Sequence, residues 1–129
     1  MGMYTQLEIG ANLKKDVPNE IVEVLKAMCA MKTTMTKFPF EHPHKWRLEH
    51  LFISGSSYFD SPWNNLLFDA DENTWSFHAS CNIKNYNGEL QVFIDWFTPF
   101  VESGDLDEDG TFATMLYEEW GEPVKFKIQ

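Results

Sequence analysis

Between Trp75 and Lys84 apolar and polar side chains alternate without a break. Trp75, Phe77, Ala79, Cys81 and Ile83 take one side, and Ser76, His78, Ser80, Asn82 and Lys84 take the other. Successive residues of a strand point to opposite faces, so this row buries one face of a sheet and leaves the other polar. A slip of one residue would turn all five apolar groups outward, so burial specifies the register. Just beyond, Leu90, Phe93, Ile94, Phe97 and Val101 recur at helical spacing and predict an amphipathic helix over about 89–101. Asn85 or Asn87 is the expected cap, and Pro99 is expected to kink or end the helix. A half-buried strand and an amphipathic helix satisfy each other by packing in two layers.

The rest of the chain supplies more of both periods. Residues 4–13 alternate, with Thr5, Leu7, Ile9 and Ala11 on one face, and predict a first strand. A helix is expected over Pro18–Lys32, capped by Asp16, with Ile21, Val24, Leu25 and Met28 as its buried stripe. Pro39 and Pro43 make 33–46 an extended loop. Trp46–Phe52 reads as a helical turn or a strand start, and Ile53–Phe59 as a strand with Gly55 at a bulge. Leu66–Phe68 reads as a short apolar strand, followed by a hairpin turn over 69–73. A final hairpin is expected from Thr111–Glu119 and Val124–Ile128. The expected architecture is α+β: a two-layer sandwich with an antiparallel sheet of five or six strands and two helices on one face. Its 129 residues form one domain, 1–129, long enough to bury a core.

Charge narrows the partners. The net charge is −10, and residues 85–124 hold ten Asp or Glu and no Lys or Arg. An acidic surface repels nucleic-acid phosphates and anionic membranes, so neither is an expected direct partner. It suits a basic protein, or a decoy that occupies a nucleic-acid-binding protein. No apolar run approaches the length of a membrane span, and no secretory signal pattern is present, so a cytoplasmic chain is expected. Cys29 and Cys81 lie within apolar patterns and read as reduced, buried thiols.

No motif carries chemistry through to completion. The Gly-Ser cluster at 54–57 lacks the lysine of a phosphate-binding loop. Glu41, His42 and His44 supply too few ligands for a zinc site. His78, Ser80 and Lys84 share a strand face, but no acid in that row orients the histidine. Asp105, Asp107, Asp109 and Gly110 match the first half of a calcium loop, yet Leu116 stands where the bidentate Glu belongs. These three aspartates are therefore only weak cation ligands. No enzyme activity, cofactor or dedicated metal site is expected; the alternative is a small-ligand or weak calcium binder.

The set Asn82-Ile83-Lys84-Asn85-Tyr86, Glu89, Phe93, Trp96, Pro99-Phe100, Tyr117-Glu118-Glu119 and Glu122-Pro123 resembles small acidic proteins encoded by bacterial phages and prophages, over residues 74–128. The resemblance implies a mobile-element setting in a bacterial cytoplasm and brings no activity with it. The expected role is that of an accessory protein acting by protein–protein contact. Trp75, Trp96 and Trp120 are candidate anchors, because interface hot spots favour Trp. Lys84, Asn85 and Tyr86, at the strand–helix junction, are further candidates. A homodimer through an exposed sheet face is one form of such contact.

Overall fold

The computed structural model describes residues 4–35, 37–40, 48–53, 63–83, 88–117 and 122–127. Its elements are β1 (Thr5–Leu13), α1 (Asn19–Met28), a 3-10 turn (Leu51–Ile53), β2 (Trp63–Asp69), β3 (Thr74–Ile83), α2 (Glu89–Phe97), a second 3-10 turn (Thr98–Phe100), β4 (Val101–Gly104), β5 (Thr111–Tyr117) and β6 (Val124–Lys127). The strands form one six-stranded sheet in the order β2-β3-β1-β5-β6, with β4 also on β1. Every pairing is antiparallel.

The apolar rows meet as their alternation requires. Leu7, Ile9 and Ala11 of β1 stand opposite Cys81, Ala79 and Phe77 of β3. On the other side Leu7 and Ile9 face Met115 and Ala113 of β5. All of these are buried. Phe52 stands edge-on to both Phe77 and Phe93, each at 5.0 Å between ring centroids. Phe97 meets Phe77 at 5.9 Å and Phe112 at 6.3 Å. These rings bind α2 to the β3 row, each pair adding about 0.5–1.5 kcal/mol beyond its area burial. The α1 helix buries Ile21, Val22, Val24, Leu25 and Met28, and its Lys26 ammonium lies 5.4 Å from the centroid of the Trp75 ring. Cys29 and Cys81 are free and buried; burial pushes the Cys29 thiol up to about 12 and that of Cys81 higher still.

Several boundaries differ from expectation. The first helix stops at Met28, not Lys32, and no side chain caps its start, so Asp16 does not serve there. Its end is a left-handed residue: Ala30 has φ 57°, and the Met31 amide donates to the Lys26 carbonyl at 2.8 Å. That closure normally takes glycine, and its absence concealed the stop. The second helix ends at Phe97 because Pro99 cannot continue the ladder. Thr98 Oγ1 donates to the Ile94 carbonyl at 2.6 Å, and the chain leaves through the 3-10 turn into β4, an element not expected from the pattern. Gly88 occupies the N-cap position of α2 with φ 72°; Asn85 and Asn87 lie outside the described residues. Ile53 belongs to a 3-10 turn, not to a strand. Residues 54–59, including Gly55, lie outside the described residues, as do 41–46. The strand expected at 66–68 is longer and begins at Trp63.

The left-handed Ala30 generates a prediction. A Cβ in that conformation costs about 1–2 kcal/mol, partly offset by the extra chain entropy of glycine. Ala30 is exposed and its replacement leaves no cavity. Ala30→Gly is expected to stabilise the fold by about 0.5–1 kcal/mol, read as a higher urea midpoint at unchanged slope.

Candidate functional site

Among the described residues two surfaces gather side chains outside the core: the β4–β5 loop and the outer edge of β2.

The loop is an excursion from what is otherwise one line of pairing. β4 pairs with the end of β1 through Ala11↔Gly104, and β5 resumes at Ile9↔Ala113. Only Gly10 separates those two β1 residues, whereas residues 105–112 separate their partners. The surplus chain folds over the second sheet face at Gly10. The Asp105 amide donates to the Gly10 carbonyl at 3.0 Å, and the Leu106 amide to the Thr111 carbonyl at 3.1 Å. A Cβ at Gly10 would run into the Asp105 carboxylate and the Leu106 side chain. One at Gly104 would run into the Thr111 backbone, and Gly110 closes the loop at φ 87°.

The three loop aspartates turn to three different cationic or imidazole groups. Asp105 Oδ2 lies 2.7 Å from His78 Nε2. Lys125 Nζ donates to Asp107 Oδ2 at 2.8 Å, and Lys127 Nζ pairs with Asp109 Oδ2 at 2.7 Å. Thr111 also donates to Asp109 Oδ1 from its amide and its hydroxyl. A calcium loop aims its oxygens at one point; these are aimed apart. Among the described residues no group of three or more His, Cys, Asp or Glu is arranged to hold a metal ion. The Lys125 hydrogen bond is the main cause holding the Asp107 carboxyl below its usual range, and the same pair raises Lys125. Lys127, then Thr111, hold Asp109 lower still.

The acid that sequence reasoning did not find for His78 is therefore Asp105, brought from 27 residues away by the loop. Ser80, next along that face, is buried. Lys84, Asn85, Tyr86 and Trp120 lie outside the described residues, as do Glu41, His42 and His44. Trp75 and Trp96 are half-buried parts of the core rim. Trp75 packs on Phe68, and Trp96 on Phe40, Phe93 and Phe100. Their rings are largely spent on packing.

Among the described residues the exposed tryptophan is Trp63, three residues before the strand expected at 66–68. Trp63, Leu67 and Phe68 of β2 are 49%, 56% and 48% exposed. All seven β2 residues pair with β3 from Trp63↔Ser80 to Asp69↔Thr74 without a bulge. On its other side β2 has no strand partner among the described residues. No residue from Trp63 to Phe68 is charged, and none is proline. The opposite edge is built differently. β6 has four residues, two of them lysines, with Pro123 just before it and a register shift in its pairing. Short length, lysine, proline and bulges are the devices that keep an edge from pairing. β6 has all four; β2 has only a proline, Pro62, just before its first residue.

No family model, no curated protein and no solved structure matches this chain. No helix among the described residues is long and apolar enough to cross a membrane.

The loop ion pairs set a pH window. A carboxylate whose folded pKa is lowered contributes stability above its unfolded value, near pH 4, and loses it as pH falls through the folded value. Lys125, raised on folding, contributes below about pH 10.4 and loses this as pH rises through its folded value. Loop amide shifts at 107–110 are expected to hold between about pH 5 and 9 and to move in acid. In Lys125→Met the Asp107 carboxyl is expected to titrate higher, toward the ordinary aspartate range. NMR titration followed at the loop amides and at the side-chain carboxyl carbons checks both.

Proposed function

We propose that this protein acts by protein–protein contact without catalysis, and that the outer edge of β2 is its contact element. The observation that carries this reading is the contrast between the two ends of the sheet: β6 is short, lysine-bearing and shifted in register, whereas β2 is long and regular, uncharged from Trp63 to Phe68, and without an outer strand partner among the described residues. An extended segment added to β2 would bond to the backbone groups of its outer side, which has no strand partner among the described residues, with Trp63 and Leu67 supplying apolar contact on one face and Phe68 on the other. That is the β-strand-addition mode of recognition, in which the backbone gives affinity and alternate side chains give specificity. Trp63 replaces Trp75 and Trp96 as the leading anchor; Trp120 lies outside the described residues.

A catalytic reading has less support. His78 has one ring nitrogen against Asp105, and Ser80, two residues along the same face, is buried. The decoy reading is also weakened, because Asp105, Asp107 and Asp109 face His78 and two lysines rather than forming a free row of charge. The resemblance to phage and prophage proteins supports a bacterial cytoplasmic setting for the contact.

The test places a photo-crosslinking benzophenone amino acid at Leu67, or at Lys127 on the opposite edge, in expressing bacterial cells. Discrete protein adducts are expected from position 67 and not from 127. Equal yields from both edges, or none from 67, would overturn the assignment.

A further inference from the structure

We infer that the occupant of the β2 edge is a second copy of this chain, joined antiparallel about a two-fold axis at Asn65. The inference rests on the edge-contact reading and names its partner.

The match of Trp63 to Leu67 across a two-fold axis selects the occupant; charge permits it and selects the direction. Two copies that each carry −10 repel wherever carboxylates face one another. The strip Trp63–Phe68 has no charge, so like-charged copies can meet there. The acidic turn Asp69–Glu72 follows immediately. Parallel pairing would set two such turns side by side. Antiparallel pairing about Asn65 separates the two Asp69 residues by eight residue steps, about 27 Å along the strands at about 3.4 Å per residue. That exceeds the screening length of about 8 Å at physiological salt.

Side-chain direction selects the register. A two-fold axis normal to the sheet keeps each face on its own side, so the axis must pass through a residue and not between two. Centred on Leu66, the exposed Trp63 would meet the carboxylate of Asp69. Centred on Leu67, Asn65 would meet Asp69 and Trp63 would fall beyond the strand. Centred on Asn65, Trp63 meets Leu67 of the second copy, and the reverse contact repeats it. The two exposed apolar residues of that face then cover each other, and the two Asn65 amides face at the axis. Phe68 lies just past this overlap, against Trp75 of its own chain at 5.3 Å.

The test uses the full chain. Light scattering across a concentration series into the millimolar range is expected to give a mass rising to twice the monomer. Leu67→Lys is expected to stay monomeric with unchanged circular dichroism. Trp63→Cys and Leu67→Cys, mixed and treated with a short bismaleimide, are expected to give a crosslinked dimer in several-fold excess over either variant alone. Asn65→Cys, which keeps both apolar residues, is expected to crosslink to itself. The native thiols are buried and do not compete. A monomer at every concentration, a dimer unaffected by Leu67→Lys, or equal crosslinking by Trp63→Cys alone would overturn the inference. Adducts from Leu67 to a different protein, with the chain itself monomeric, would overturn the second copy while the edge reading stands. A dimer with no adduct from Leu67 would overturn both.

Discussion

The pairing of β1 with strands on both sides is the constraint on which the remaining structure depends. β1 is central in the sheet, and Leu7, Ile9, Ala11 and Leu13 are all buried. Its β3 side fixes Phe77, Ala79 and Cys81 in one apolar row, onto which α2 lays Phe93 and Phe97 through Phe52 and Phe77. Its other side is shared end to end by β4 and β5. One strand thus sets the core, the seat of the helix and the place where the chain must leave the sheet.

That departure explains the loop. Eight residues stand between the partners of Ala11 and Ile9 where one would suffice, and the excess folds over Gly10 because only glycine leaves room. The carboxylates then settle on the imidazole of His78 and the ammonium groups of Lys125 and Lys127. Exposed pairs of this kind stabilise little and weaken with salt. Their effect is to set the direction of the loop and to engage part of the negative charge of the molecule.

The two ends of the sheet complete the account. An edge strand exposes a row of unpaired backbone groups, and β6 counters this with lysine, proline, brevity and a register shift. The lysines that defend β6 are also those that hold Asp107 and Asp109, so one short strand both closes the sheet and anchors the loop. β2 pairs without a bulge, and from Trp63 to Phe68 it carries no charge. In a chain with this much acid, an uncharged open edge is where close approach by another chain costs least.

Much of the fold was legible because periodicity is local. The alternation at 75–83 and 5–13 and the helical stripes at 21–28 and 90–97 each declare a buried face without reference to any neighbour. Helix ends were less legible: Ala30 ends α1 without a glycine, and Pro99 releases the chain into a strand that its acidic sequence did not suggest. The candidate site was mostly hidden. Asp105 and His78 meet only because β4 and β5 share one edge of β1, and Trp63 is exposed only because β2 lies at the end of the sheet. Sequence alone determined which side chains seek burial, since that depends on the residue and its period. Tertiary structure decided which strand was left at the edge and which charges met, since strand order and long-range contact leave no local signal in the chain.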